Sequence, residues 1–305
     1  MKLGTTLLNF GPGVSPDLLA RSAQLAEALG YHLLTISDHV VLTPDVQARY
    51  PAPLYDPLVT LGWLASETKK IEIGTSVIVL PYRHPLNTAK MVSNLDRLSN
   101  GRFILGIGVG WAEQEYQTLG VSFTRRGEIA DDYLAATKTF WTHDVASYES
   151  KSVSFKDVHT GPRPVRTPHP PIWVGGISDA ALRRAVRYGN AWHPLYVRAD
   201  WLKDRGLPRL REFADEEGKP VPALCPRIKL CLTGSPLPEN QRVAGEGTID
   251  QVRRDFEILQ SLPTEYLLLD SYADDPLDAR AHQRSWNRLT KVAERIFDLE
   301  RCALR

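Results

Sequence analysis

Cysteine is scarce in this chain. Three thiols in 305 residues, Cys225, Cys231 and Cys302, are too few and too scattered for a disulfide framework or a zinc cluster. They read as the reduced thiols of a cytoplasmic protein. Net charge is almost absent: 37 basic residues face 36 acidic ones, a formal +1. That balance leaves no electrostatic footprint for nucleic acid or an anionic membrane surface. No window approaches 18 uninterrupted apolar residues, so no membrane span is expected. The opening MKLGTTLLNFGPG is broken by Asn9, Gly11 and Pro12, and does not read as a signal peptide. No G-x-S-x-G motif occurs, and Ser76 has no evident base partner, which argues against a serine nucleophile. Internal repeats and low-complexity tracts are missing too.

What is present is an alternation. Strand-like runs fall at 2–10, 32–38, 71–80, 103–109, 171–176, 190–196, 227–234 and 265–270. Helical patterns separate them at 15–30, 56–68, 87–101, about 125–142, 178–189, 248–260 and 276–300. The first has Ser15 as cap, Pro16 at the first helical position and Gly30 as terminator. Eight β-runs interleaved with helices predict an α/β fold, a closed (β/α)8 TIM barrel spanning 1–305 as one domain. An open doubly wound sheet is the alternative. Two stretches exceed ordinary loop length, 112–124 and 143–170, and SYESKSVSFKDV within the second alternates like a hairpin. Both are expected at the C-terminal mouth, as lids.

A barrel keeps its chemistry at the C-terminal ends of its strands. Attention therefore falls on Phe10, Asp38-His39, Ser76-Val77, Gly108 to Trp111, Gly175-Gly176, Trp192-His193 and Asp270. Gly106-x-Gly108-x-Gly110 invites a dinucleotide-loop reading, but Trp111 stands where the third glycine of G-x-G-x-x-G belongs. The three glycines alternate along one strand, so one barrel wall there carries no side chains. Such a wall either packs tightly or admits a flat ring. VGGISDAALRRA is sharper: a Gly-Gly turn and a helix opening at Ser178 aim several N–H groups at one spot, the usual phosphate position. A helix cap plus a flexible turn is its plainer reading. Arg183 and Arg184, one turn on, are candidates for added positive charge. His39 is a cofactor contact, an acid–base group or a structural histidine, and no metal site is expected around it. Phe10, Trp111, Trp192 and His193 are candidate walls of a pocket for a planar, apolar ligand.

The stretches ISDHV, IGTSVIVLPYRHP, TAKMVSNLDRLSNGRFILGIGVGW, LGVSFTRRGEIADDYL, PPIWVGGISDAALRRAVRYGNAWHP and GTIDQVRRDFEIL resemble, in order, the bacterial luciferase-like monooxygenase superfamily. Within it the chain is similar to the group described as probable F-420-dependent oxidoreductases. The resemblance implies a TIM barrel that binds a flavin or deazaflavin at its mouth. By position, it places His39 beside the ring and makes Ser76-Val77 a non-prolyl cis bulge backing it. It adds Gly108 and Trp111 to the ring site, and gives the phosphate to Gly175, Gly176, Ile177 and Ser178. Two departures concern the deazaflavin dehydrogenases of the superfamily. Thr43 replaces a tryptophan some of them carry after the strand-two histidine, and Trp111 replaces their proton-donating glutamate. In addition, Asn190-Ala191 stands for the family's usual Asp-Gly.

The function so implied is hydride transfer from reduced coenzyme F-420 to a small, apolar organic substrate. A reduced-FMN monooxygenase using O2 is the alternative, and a non-catalytic flavin-binding accessory barrel is the rival from another class. A homodimer and a separate flavin or F-420 reductase are implied as partners. A barrel hydrolase or aldolase would need a metal cluster or a Schiff-base lysine at a strand end, and the sequence offers neither.

Overall fold

The computed structural model describes residues 1–272 and 277–305. Eight parallel strands follow one another around a barrel: β1 (Lys2–Thr6), β2 (Leu33–Ile36), β3 (Glu72–Thr75), β4 (Phe103–Gly108), β5 (Ile172–Gly175), β6 (Ala191–His193), β7 (Arg227–Lys229) and β8 (Tyr266–Asp270). Ala223–Leu224 extends β7 backwards and pairs with β6, while β7 itself pairs with β8. Bridges Leu195↔Arg227 and Leu224↔Thr264 join the two sides. With β8 paired to β1 along Lys2↔Tyr266 to Thr6↔Asp270, the barrel is closed, as the alternation predicts.

Side chains alternate across these strands, and the two faces have different jobs. Leu3, Leu34, Ile36, Ile73, Phe103, Leu105, Ile107, Ile172, Val174, Leu267 and Leu269 point outward into the main core, against the helices. Inside, Leu33, Ile104, Trp173, Ala191, Cys225, Tyr266 and Leu268 form the filling. Gly4, Gly74 and Gly106 make room for it. A methyl group on Gly106 would stand 1.9 Å from the Thr75 carbonyl oxygen. Above the filling lies a polar layer, Thr6, Thr35, Ser76, His193, Arg227 and Asp270, all buried.

The helices are α1 (Pro16–Leu29), α2 (Pro57–Glu67), α3 (Pro85–Leu98), α4 (Arg126–Thr142), α5 (Asp179–Tyr188), α6 (Leu207–Glu216), α7 (Ile249–Ser261) and α8 (Gln283–Arg295). Their capping signals work as the sequence implies. Ser15 accepts from the Leu18 N–H, Gly30 ends α1 at φ 93°, and Thr248 closes a capping box with Gln251. Three expectations need correction. The sequence reading assigns no helix between 196 and 227, where Gly206 and Pro208 interrupt the apolar period. A π-helical turn at Leu202–Gly206 leads into α6, and Pro208, with no N–H to give, sits in the first turn. The segment expected as a helix over 276–300 is shorter: residue 276 lies outside the described residues, α8 begins at Gln283, and Phe297–Asp298 pairs antiparallel with Ala303–Leu304.

The third correction concerns 143–170. It does contain the expected hairpin, Val145–Glu149 against Ser154–His159. It does not belong to the C-terminal mouth, however. It leaves the end of α4 and returns to the start of β5, so it opens on the opposite face. The segment after the hairpin is tied there, with the Val165 and Arg166 amides on Asp96 and the Arg166 guanidinium 2.8 Å from Glu72. The 112–124 segment follows β4 and does stand at the mouth, carrying a short helix, Glu113–Thr118. None of the described helices is long and apolar enough to cross a membrane.

Candidate active site

The floor of the mouth is the polar layer. Arg227, 4% exposed, spans it and donates to Asp270 through Nε (3.1 Å) and Nη2 (2.5 Å). Its Nη1 donates to the Ser76 carbonyl (2.5 Å) and reaches Ser76 Oγ (3.1 Å). Tyr196, arriving after β6, donates its hydroxyl to Asp270. His193 Nδ1 lies 2.5 Å from the Cys225 carbonyl, which can only accept. Nδ1 therefore carries the proton, and Nε2 accepts from the Ser76 hydroxyl at 2.8 Å. Burial pushes the His193 imidazole down to about 4, against the pull of the Cys225 bond and with help from the Arg227 charge. His193 is thus a neutral structural member of the floor. With 0% exposure, it does not line a substrate pocket as expected.

The neighbouring residue corrects another expectation. Trp192 alternates with His193, so its indole points outward, is 0% exposed and packs beside Trp201. Its Nε1–H donates to the Gly176 carbonyl at 2.8 Å. It supports the Gly-Gly turn from behind. Asn190, standing where the resemblance implies an aspartate, accepts the Ile172 N–H through Oδ1 at 2.9 Å and so ties the start of β5 to that of β6. A carboxylate would accept the same bond.

At the rim, Asp38 and His39 part company. Asp38 is taken up by the Arg83 guanidinium fork (2.7 and 2.8 Å) and the Val79 amide (2.9 Å), an anchoring role. His39, 8% exposed, has its Nδ1 2.6 Å from Glu115 Oε2. Glu115 comes from the short helix after β4 and is 0% exposed. It also accepts from the Val40 and Val41 amides (2.7 and 3.1 Å) and the Tyr82 hydroxyl (3.0 Å). Burial alone would raise the Glu115 carboxyl. The hydrogen bond and charge of His39, with the two amides, outweigh it and hold the group below the ordinary glutamate range. Burial first, and Glu115 second, push the Tyr82 phenol upward, so it stays a donor. Around the imidazole stand Tyr50 (5.3 Å between ring centres) and Trp111 (5.9 Å), the latter 40% exposed and covered by Arg49.

The glycine wall is half filled. The Ser76–Val77 peptide is cis, as the resemblance implies, and Val77 projects across the wall. A methyl on Gly108 would meet Val77 Cγ2 at 2.7 Å, and one on Gly175 would meet Cγ1 at 3.3 Å. Val77, Gly175 and Gly176 remain partly exposed at the mouth. A cavity of about 510 Å³ is lined by Tyr50, Tyr196, Tyr272, Arg49, Lys229 and Glu246, among others. Phe10 is buried behind this cavity, edge-on to Tyr50 and Tyr272, and forms its backing rather than its surface.

At the Gly-Gly turn, Gly176 takes φ 112° and Ser178 caps α5, its Oγ accepting from the Ala181 N–H. Among the described residues, the Ile177 and Ser178 amides donate to no protein group. They stand beside the positive end of a ten-residue helix. The arginines expected to help point elsewhere. Arg184 is buried against Asp131 (2.6 Å) and the Gly127 carbonyl, and Arg183 pairs with Glu216 over the Phe213 ring. Asp179, which would repel an anion here, is neutralised by Arg209 at 2.6 Å.

The buried imidazoles make stability depend on pH. His282, 4% exposed, is also pushed by burial to about 4. Between about pH 6.5 and 4 the unfolded chain binds protons that the folded chain refuses. Stability is therefore complete above pH 6.5 and falls as the pH drops towards 4, by roughly 3 kcal/mol per histidine at 1.36 kcal/mol per unit. The urea midpoint should fall steeply from pH 7 to pH 5, and an equal midpoint at both would contradict this assignment.

A family model described as luciferase-like monooxygenase matches residues 1–252. An uncharacterized protein of Mycobacterium tuberculosis is 29% identical over 246 residues, which cover 73% of this chain and 86% of that protein. Among solved structures, an F420-dependent secondary alcohol dehydrogenase in complex with an F420-acetone adduct superposes with a TM-score of 0.75 at 16% identity, covering 95% of this chain and 98% of that one. The oxygenating constituent of 3,6-diketocamphane monooxygenase from Pseudomonas putida, in complex with FMN, gives 0.76 at 17% identity, covering 100% and 99%. At these identities the structural likeness is one of fold.

Proposed function

The chain belongs to the luciferase-like monooxygenase family, and on that premise we propose that it transfers hydride between F-420 and a small organic substrate held at the barrel mouth. The carrying observation is the turn at Gly175–Ser178, whose Ile177 and Ser178 amides are left to an outside acceptor next to a side-chain-poor wall. A phosphate at that turn suits a cofactor whose flat ring lies against Val77 and Gly175, with His39 and Trp111 at its edge; Gly108, expected at the ring, is instead buried beneath Val77. The deazaflavin supplies the hydride chemistry when bound. The chain's own residues do the rest. The turn binds the phosphate, Val77 sets the plane of the ring, the Arg227–Asp270 layer closes the barrel beneath it, and the tyrosine-walled cavity holds the substrate.

A reduced-FMN monooxygenase using O2 is the second reading. Trp111 favours it, because it stands where the resembling deazaflavin dehydrogenases carry a proton-donating glutamate. That reading brings a separate reductase as partner.

Gly176→Val tests the turn. At φ 112° a β-branched residue is strained, and its Cβ would stand 2.9 Å from that of Ala181. The variant should bind F-420 or FMN at least about tenfold more weakly, an effect of ~1.4 kcal/mol. Fluorescence titration measures this, and undiminished affinity would remove the turn from the site.

A further inference from the structure

Among the described residues Glu115 is the one fully buried carboxylate that touches His39, and its four hydrogen-bond partners leave little freedom in how it does so. Oε1 is claimed by the Val40 and Val41 amides, both obligate donors. Oε2 faces His39 Nδ1 at 2.6 Å and the Tyr82 hydroxyl at 3.0 Å. Because a carboxylate only accepts, Nδ1 must carry a proton. The other ring nitrogen, Nε2, has no partner among the described residues.

We propose that Glu115 is a positioning residue: it locks His39 with the proton on Nδ1, so that Nε2 is the nitrogen presented for proton exchange with the substrate. The proposal rests on the hydride-transfer reading above. In the reducing direction, a deazaflavin bound at the mouth would supply the hydride, with its electron pair, to a carbonyl carbon. The carbonyl oxygen takes the proton from Nε2–H of the imidazolium. The products are an alcohol and a neutral imidazole, still held through Nδ1–H by Glu115. The remaining charged and titratable groups around the ring are Tyr82 from the turn after β3, and Arg49 and Tyr50 from the loop after β2. None of these bonds Nδ1.

The test reads the tautomer itself. Histidine labelled with ring ¹⁵N in the full-length chain, with His39→Gln to identify the signals, shows which nitrogen is protonated. At mildly alkaline pH, wild-type His39 should carry its proton on Nδ1. In Glu115→Gln the two valine amides keep the side-chain oxygen, so the NH2 group takes the place of Oε2. Opposite Nδ1 it must donate, and the proton should move to Nε2. Nε2–H in the wild type, or one tautomer in both proteins, would overturn the proposal. The wild-type spectrum alone decides if the variant fails to fold. The spectra need no cofactor, so this result stands apart from whether F-420 or FMN binds. A role for Glu115 in folding alone would not reverse the tautomer.

Discussion

Asp270→Ala should cost about 3–5 kcal/mol of folding stability, the scale expected when one partner of a buried ion pair is removed. Asp270 is 1% exposed and accepts from Arg227 Nε and Nη2, the Tyr196 hydroxyl and the Tyr272 amide. Without it, among the described residues a guanidinium sealed in the barrel keeps only its bonds to Ser76 and Ser37 and has no paired carboxylate. The cost comes from the stranded charge more than from the lost attraction. Replacing both Asp270 and Arg227 by leucine should therefore destabilise less than Asp270→Ala alone, despite changing more atoms. Urea unfolding gives both numbers. A loss below 1 kcal/mol for Asp270→Ala would mean that water reaches Arg227 in the polar layer.

The second large effect falls on turnover. His39→Ala should lower kcat roughly 10²–10⁴-fold, the usual share of a positioned acid–base group, while shifting the unfolding midpoint little. The ring is at the rim, and its loss strands Glu115 only in part, since the two amides and Tyr82 still hold the carboxylate. Both quantities are needed. A large drop in stability with normal turnover per folded molecule would make His39 a structural histidine, the plainer reading of its position in ISDH.

Much of the fold was legible because its signals are local. Period-two apolar runs and capping residues such as Ser15 and Thr248 act within a few positions of one another. α6 was not legible: Gly206 and Pro208 erase the helical period, and only a π-helical turn restores the helix behind them. The placement of 143–170 follows from chain order alone, because a segment that leaves a helix and enters a strand lies at the opposite end from the mouth. Its length, read as a lid signal, hid that rule. At the site, alternation says that Trp192 and His193 face opposite ways, yet not which one faces in. The register across β5, β6 and β7 decides it, and that is a property of the closed sheet. Glu115 left no signal, since nothing in AEQEY sets it apart from Glu113 until the helix turns it onto His39. Arg227 and Asp270, 43 residues apart, meet only because β7 and β8 are neighbours.

The central claim is that this barrel mouth binds a flavin-type ring, with F-420 preferred. Titration of the purified protein with F-420 and with FMN, each oxidised and reduced, tests it most directly by fluorescence. The account predicts saturable, one-to-one binding of F-420 that Gly176→Val weakens about tenfold or more. Selective binding of reduced FMN would move the protein to the monooxygenase reading, and binding of neither cofactor would contradict the account.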